Sequence, residues 1–382
     1  MRLRLHGGFA EKGRTCLGVD VDGYRLLLDA GVKTSARGAE YYPAISADEL
    51  RATDAMVITH AHEDHVAALG WCIAGGFRGR LLMTAETGRE VDLFLEAYAD
   101  ASHRRAARDF AREDLAVDAQ VALGPLQLRA GRSGHVSGGV WCVVADRRHT
   151  LGYCGDVVPA SEVFAMDPIP RCDTVVLDAS YGDDDVSAHE RAQAVRDWVL
   201  AHPEGCVLPT PLSGRSAELL AIVPGAVALS DGMRQALLLQ IADPAWLVGA
   251  AAARLSQRLA LATDWHAGSP LPRAALICHD GMGIAGPSRD ILRTAAADAH
   301  PVLFTGHLPA DSPGERMLAA GQAAWRRLPT HPTLSENVAI AAGSVAETVI
   351  GHSCDRAALD RLKRHIPRLR TDLATGDRLE LC

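Results

Sequence analysis

The stretch His60-Ala61-His62-Glu63-Asp64-His65 follows directly on the apolar run Ala55–Thr59. A short apolar run that ends in polar residues is typical of a buried strand. Histidine and carboxylate side chains at such a strand end are ligands that divalent ions of the zinc type prefer. A solvated turn is the alternative interpretation, but a turn does not require histidines. The stretch therefore predicts a metal centre at the end of a strand.

Three more polar residues follow apolar runs in the first half of the chain. Asp29 ends one run, His135 lies between glycines after a second, and Asp156 follows a third. Singly, each also fits a turn or a helix cap. Because they share the strand-end context of the histidine stretch, we expect them to lie near it and to complete a site for two ions.

Length and composition are those of a globular protein. The 382 residues, 48% hydrophobic and 23% charged, suggest two domains or one large core with an insertion. The N-terminal sequence has no signal-peptide core and no stretch reaches the length of a membrane helix, so we expect a cytoplasmic protein. The nine cysteines occur singly, without a CxxC pair, which favours buried thiols over disulfides or a cysteine zinc site.

The formal net charge of −8 at first argues against a nucleic-acid partner, since proteins that coat nucleic acid are usually basic. Part of the excess acid, however, belongs to the candidate site itself, where two divalent cations would reverse the local sign. The charge of the whole chain therefore does not exclude a nucleic-acid substrate.

The pattern of apolar residues changes near Tyr181. Before it, short strand-like runs alternate with polar turns, and one helical stretch covers Glu86–Arg112. After it, alanine-rich helical stretches alternate with two apolar strands, Cys206–Thr210 and Ala274–Gly281. This alternation predicts an α/β subdomain.

Asp29, the stretch His60–His65, His135 and Asp156 resemble the successive motifs of the metallo-β-lactamase superfamily. The chain also resembles the β-CASP nucleases of that superfamily, the group of the cleavage-and-polyadenylation endonuclease and ribonuclease J. The segments that carry the β-CASP resemblance are Asp178–Gly182, Leu208–Leu220, Gly281–Arg289, His331 and His352. The resemblance implies an α/β fold, an αββα sandwich with an inserted α/β β-CASP domain. It places the first part of the metallo-β-lactamase domain at 1–182, the inserted domain at 183–327 and the C-terminal return at 328–382.

The resemblance also implies a role for each candidate residue. It implies two Zn²⁺ ions, with Mn²⁺ as the alternative, and an acid that protonates the leaving oxygen. The resemblance implies that His60, His62 and His135 hold one ion, that Asp64, His65 and His352 hold the other, and that Asp156 lies between them. It implies that Asp29 supports the ligands. His331, held by Asp178, is the implied general acid, and Asp64 is counted among the catalytic residues.

Ser213, Gly214 and Arg215 are candidate substrate-binding residues. A turn of small residues that opens a helix offers backbone N–H groups to a phosphate, and Arg215 adds a bidentate donor. A simple helix cap is the alternative. We expect these residues to contact the nucleic-acid backbone.

The implied function is a metal-dependent phosphodiesterase that cleaves single-stranded nucleic acid. In the β-CASP group a histidine at the position of His352 goes with RNA, so RNA is favoured over DNA. The alternatives are a DNA exonuclease of the type associated with bacterial ligases, a hydrolase of small esters or thioesters, and a scaffold without activity. The choice between endonuclease and 5′ exonuclease stays open, as does the oligomeric state, for which a homodimer is one option.

Overall fold

The computed structural model describes residues 1–381. The strands in chain order are β1 (Arg2–Gly7), β2 (Cys16–Val21), β3 (Tyr24–Leu28), β4 (Ala55–Val57), β5 (Arg80–Met83), β6 (Glu113–Asp114), β7 (Gln120–Leu123), β8 (Leu126–Arg132), β9 (Val140–Ala145), β10 (Thr150–Tyr153), β11 (Thr174–Asp178), β12 (Cys206–Pro209), β13 (Val227–Leu229), β14 (Thr263–Asp264), β15 (Ala275–Cys278), β16 (Leu303–Phe304), β17 (Ala324–Trp325), β18 (Thr348–His352), β19 (Leu369–Arg370) and β20 (Arg378–Glu380).

The α-helices are α1 (Ala47–Arg51), α2 (Glu63–Val66), α3 (Leu69–Ala74), α4 (Ala85–Tyr98), α5 (Ala101–Arg108), α6 (Ala188–Leu200), α7 (Arg215–Ile222), α8 (Met233–Ile241), α9 (Ala251–Leu261), α10 (Ser288–Ala297), α11 (Pro313–Ala319), α12 (Leu334–Ser344) and α13 (Arg356–Lys363). Short 3₁₀ helices cover Gly38–Tyr41 and Pro244–Trp246. Among the described residues, no helix has both the length and the hydropathy needed to cross a membrane.

The chain divides into two compact units. The first contains residues 1–159, residues 166–185 and the chain from His331 onward, and the second contains residues 160–165 and 186–330. Both units mix strands and helices, as the α/β interpretation predicts. The domain limits given above, 182, 183, 327 and 328, stay predictions.

Two seven-stranded sheets form the first unit. Their strand orders are β20-β1-β2-β3-β4-β5-β6 and β19-β18-β11-β10-β9-β8-β7. Strands β3, β4 and β5 run parallel in the first sheet, and β10, β11 and β18 run parallel in the second. Carboxyl ends of parallel strands meet at one edge of a sheet, so residues that follow these strands are brought together.

The burial of strand β11 indicates that the second sheet is covered on both faces. Each of its five residues is buried, and its Val175 and Leu177 belong to a core cluster that also holds Leu359 and Leu362 of α13. A strand with both faces buried is expected to be a continuous apolar run rather than an alternating one. Together with the helices outside the sheets, this packing confirms the predicted αββα sandwich.

The second unit is built on a parallel sheet with the strand order β12-β15-β13-β14. The two strands predicted from the sequence are β12 and β15, which are adjacent in this sheet and fully buried. The segment 160–165 joins this unit through backbone hydrogen bonds, from Ala165 N to Trp246 O (2.9 Å) and from Val248 N to Val163 O (3.0 Å).

The cysteines in the described chain are buried and free, which confirms the expectation of buried thiols. Cys382 lies outside the described residues.

At Gly31 the loop after β3 packs against the turn that carries Asp64 and His65 so closely that no side chain would fit between them. A Cβ atom at Gly31 would lie 1.7 Å from the carbonyl oxygen of Asp64. The neighbouring residues bond to the same turn, with Ala30 N donating to His65 O (2.7 Å) and Val32 N donating to Glu63 O (3.0 Å).

Gly31→Ala is therefore expected to push the turn that carries Asp64 and His65 away from β3. Overpacking of this kind destabilises by about 1–3 kcal/mol, so the melting temperature measured by calorimetry should fall. The matched control is Gly343→Ala in α12, where no atom lies within 4 Å of the added Cβ and alanine is favoured over glycine by about 1 kcal/mol. Equal melting temperatures for Gly31→Ala and the unmodified chain would contradict the expectation.

Candidate metal centre

The histidine stretch lies between β4 and α2. His62 is the residue before the first turn of α2, and His65 N donates to His62 O (2.9 Å). His60 is 1% exposed, and His65 is fully buried. Polar side chains buried to this degree need partners, because an unpaired polar group in the core costs free energy.

Four side chains have ligand atoms within 4.8 Å of one another: His60, His62, His135 and Asp156. We call this group the histidine cluster. His135 Nε2 lies 3.0 Å from His62 Nδ1 and 3.6 Å from Asp156 Oδ2, and His60 Nε2 lies 3.8 Å from the same oxygen. Nitrogen and oxygen ligands placed tetrahedrally around zinc lie roughly 3.3 Å apart. The histidine cluster therefore has the spacing of a metal site.

Asp156 has a second set of neighbours. Its Oδ1 lies 3.2 Å from His65 Nε2, and Asp64 Oδ2 lies 4.0 Å from the same nitrogen. The Nε2 atoms of His60 and His65 and the Oδ1 of Asp156 are buried without a hydrogen-bond partner within residues 1–381. Buried atoms of these types that point at one another fit divalent cations as the missing partners.

Neighbouring side chains fix which ring nitrogens face the centre. Because the Thr59 hydroxyl donates to Asp29, it accepts from His60 Nδ1 (3.1 Å), which leaves the lone pair of His60 on Nε2. His65 Nδ1 likewise donates to Asp29 Oδ2 (2.8 Å), so its Nε2 faces Asp156. Both imidazoles thus present a lone pair to the metal position, as ligands require.

Burial and charge shift the pKa values in opposite directions. Burial, followed by the nearby rings of His65 and His62, holds the pKa of His60 well below its usual value, and burial does the same for His135. Burial would also lower the pKa of His65, but the carboxylates of Asp156, Asp29 and Asp64 outweigh it and raise that pKa well above its usual value. The centre thus combines the neutral imidazoles of His60 and His135 with a negative potential around His65, and both favour a cation.

The Asp29 carboxylate holds Thr59 and His65 in place through hydrogen bonds. This carboxylate is fully buried and accepts hydrogen bonds from Thr59 N (2.7 Å), Thr59 Oγ1 (2.9 Å), His65 Nδ1 (2.8 Å) and Tyr153 Oη (2.8 Å). The left-handed backbone at Asp29, with φ of 65°, ends β3 and turns the chain. The predicted supporting position of Asp29 is thus beside His65, where it holds the ring.

His331 and Asp178 form a second group next to the histidine cluster. His331 Nδ1 donates to Asp178 Oδ2 (2.8 Å) and lies 3.6 Å from Asp156 Oδ2. Asp178 is fully buried, and its oxygens also accept from Val157 N (3.2 Å) and Ser180 N (3.1 Å). We call His331 and Asp178 the acid pair.

His352 lies on β18, close to the centre but with both ring nitrogens engaged. Its Nε2 donates to Gly155 O (2.9 Å), and its Nδ1 accepts from Ser353 Oγ (2.8 Å). Its ring centroid lies 6.2 Å from that of His65. The structure thus brings His352 to the site without placing it in a group of ligand atoms, and its ligand role stays a prediction.

The three candidate substrate-binding residues lie in the second unit. The N–H of Gly214, expected to face a phosphate, donates to Gln240 Oε1 (2.7 Å). Arg215 donates to Thr330 Oγ1 (2.8 Å), and Ser213 is 1% exposed. The backbone donor of Gly214 is thus used within the fold, and the contact with substrate stays a prediction for all three.

Sequence reasoning missed three residues that hold the site together. Thr59 links Asp29 to His60, Tyr153 donates to Asp29, and Asn337 Nδ2 donates to the carbonyl oxygen of Asp178 (2.9 Å). The position of Thr59 at a strand end was a signal. Tyr153 and Asn337 act across long sequence separations, and no local pattern marks such contacts.

Asp29→Asn removes a charge and keeps the shape of the side chain. Because His65 then loses its carboxylate partner, we expect metal affinity to fall about 10–100-fold. The matched control is Tyr153→Phe, which removes one hydrogen bond to Asp29 and keeps the ring that stacks on His352 (centroids 5.7 Å apart). Metal titration of both variants, with melting temperatures, checks this, and unchanged affinity in Asp29→Asn would contradict it.

Comparison with known proteins agrees with this geometry. The beta-lactamase superfamily domain matches residues 24–209. Transcription termination factor FttA of Methanococcus maripaludis is 25% identical over 248 residues, which are 58% of this chain and 39% of that protein. A ribonuclease of Thermus thermophilus is 28% identical over 219 residues, 53% of this chain and 49% of that protein. The chain thus spans less than half the length of these two relatives.

A solved structure has the same fold along the whole chain. The crystal structure of a protein of unknown function from Enterococcus faecalis V583 superposes with a TM-score of 0.62 at 13% sequence identity, covering 100% of this chain and 99% of that one. The matched domain, the relatives and the ligand geometry agree with one another. Residues 24–209 therefore form a beta-lactamase superfamily domain, and the chain resembles proteins of the β-CASP group.

Proposed function

We propose that this chain is a zinc-dependent phosphodiesterase that cleaves single-stranded nucleic acid, RNA in preference to DNA, by two-metal-ion hydrolysis. The observation that carries the proposal is the position of the acid pair. His331 Nδ1 lies 3.6 Å from Asp156 Oδ2 of the histidine cluster, so a proton donor stands beside a group of metal ligands. A hydrolase of phosphate esters needs both at one place.

The two ligand sets divide at Asp156. His60, His62 and His135 would hold one ion with Asp156 Oδ2, and His65, Asp64 and His352 would hold the other with Asp156 Oδ1. When bound, two divalent ions supply an activated water and offset the negative charge of the phosphate. The chain's own residues fix the positions of these ligands through Asp29 and Thr59.

The acid pair supplies the proton for the leaving oxygen. Asp178 accepts from His331 Nδ1 (2.8 Å), which orients the ring. The second proton is then carried on Nε2, from which it passes to the oxygen that leaves. General acid catalysis of this kind contributes about 10²–10⁴-fold to a rate.

The relatives support nucleic acid as the substrate class. One is a ribonuclease and another is a transcription termination factor by name, and the histidine at position 352 goes with RNA in the resemblance. The complete set of predicted ligands also favours an active enzyme over a scaffold, because Asp64 and Asp156 both lie near His65 Nε2.

The first test is metal-dependent cleavage by the purified chain. End-labelled single-stranded RNA and DNA are incubated with Zn²⁺, with Mn²⁺ or with a chelator, next to a panel of esters and thioesters. We expect cleavage of RNA that the chelator stops and that Asp156→Ala abolishes, since this variant removes a ligand of both sets. Cleavage of DNA alone from one end would identify the exonuclease instead, and turnover of esters alone would contradict the proposal.

The second test separates the acid from the ligands. His331→Ala should lower the cleavage rate by about 10²–10⁴-fold while bound metal, measured by elemental analysis, stays at the level of the unmodified chain. His189→Ala, an exposed histidine of α6, is the matched control and should retain full activity. Loss of metal in His331→Ala would show that this residue is a ligand and not the acid.

A further inference from the structure

We propose that a pocket beside the histidine stretch binds an unpaired nucleobase of the substrate by stacking on Tyr42 and Trp71. The proposal rests on nucleic acid being the substrate, and it adds a binding site outside the metal centre. We call it the aromatic pocket. All of its residues lie in the first unit.

The aromatic pocket has a volume of about 680 Å³, and its walls include Arg14, Glu40, Tyr42, Ile45 and Trp71. The rings of Tyr42 and Trp71 are stacked, with centroids 4.8 Å apart and planes 7° from parallel. Both side chains are half-buried, so part of each ring remains open to the pocket. Stacked aromatic rings at a surface are a platform on which nucleobases stack irrespective of sequence.

Backbone hydrogen bonds hold this platform in place. Lys33 N donates to Tyr41 O (2.9 Å), Ala44 N donates to His6 O (2.7 Å), and Arg14 Nη1 donates to Tyr42 O (3.2 Å). The hydroxyl of Tyr41 adds a bond to Tyr98 O (2.7 Å). A surface that is ordered before binding loses less conformational entropy when the ligand arrives.

The charges around the aromatic pocket favour an uncharged ligand. Arg14 is paired with Glu11 through two hydrogen bonds, of 2.8 and 3.2 Å, and Lys33 Nζ also donates to Glu11 (2.7 Å). Glu40, an exposed carboxylate, lies on the wall itself. A phosphate bound here would lie near an arginine that is already paired and near the negatively charged carboxylate of Glu40. The flat, neutral face of a base needs only apolar and aromatic surface.

The aromatic pocket is connected to the metal centre by the loop that follows β3. Val32 N donates to Glu63 O (3.0 Å), and Thr15 N donates to Asp64 O (2.9 Å). Trp71 follows His65 by six positions, across the break between α2 and α3, so their Cα atoms lie no more than about 20 Å apart. A strand held at the metal centre therefore has flanking bases within reach of this platform.

The test compares oligomers with and without bases. Hydrolysis-resistant phosphorothioate RNA and DNA oligomers, and abasic oligomers of the same length and charge, are titrated against the metal-loaded chain. Quenching of tryptophan fluorescence and anisotropy of a label report binding. We expect base-containing oligomers to bind more tightly and to quench fluorescence, and Tyr42→Ala to lower their affinity by about 5- to 100-fold without changing the affinity for abasic oligomers.

Three further variants test whether a loss of affinity in Tyr42→Ala comes from a loss of folding. Ala39→Glu places a carboxylate on the exposed wall of the aromatic pocket and leaves both rings intact; it should weaken the same oligomers. Trp71→Phe keeps a stacking ring and should remove most of the quenching with little loss of affinity. Trp198→Phe changes a tryptophan of the second unit that contacts His202, and this variant should keep the full quenching.

Equal binding of base-containing and abasic oligomers by the unmodified chain would overturn the inference, and so would unchanged affinity in both Tyr42→Ala and Ala39→Glu. Because the oligomers are not cleaved, the assay is independent of catalysis. Base-dependent binding without any nuclease activity would refute the proposed reaction and leave the aromatic pocket in place. Cleavage without base-dependent binding would do the reverse.

Discussion

A carboxylate that is fully buried must be paired on both oxygens, because an unpaired charge in the core costs several kcal/mol. Asp29 meets this requirement with donors from Thr59 after β4, from His65 in α2 and from Tyr153 in β10. The first two belong to one sheet and its following turn, and the third belongs to the other sheet. One carboxylate thus fixes the distance between the two sheets at the edge where the ligands gather.

Asp156 extends this constraint to the two ligand sets. One of its oxygens faces His60 and His135, and the other faces His65. A rotation of the carboxylate that improves contact with one set must worsen contact with the other. In the proposed two-ion site, binding at one position would therefore be coupled to binding at the other through a single side chain, equally in both directions.

The candidate ligands His60, His135 and Asp156 could be predicted from the sequence, since each follows an apolar strand and is marked by a local pattern. The ring orientation of His352 could not be predicted, because it depends on Gly155, which is distant in sequence. In the fold, β14 and β16 have two residues each, too few for a periodic pattern, and the membership of residues 160–165 in the second unit depends on contacts with Trp246 and Val248.

The order of the strands along the chain has a consequence for biosynthesis. Strand β18 pairs with β11 and lies between it and the edge strand β19, yet it follows the whole of the second unit in sequence. While the ribosome is still translating that unit, β11 has an open edge, and neither His331 nor His352 has been made. An unpaired apolar edge invites aggregation, so this order exposes the nascent first unit to that hazard until β18 is made. The same order keeps the acid pair incomplete until the second unit has been translated, because His331 follows that unit in sequence.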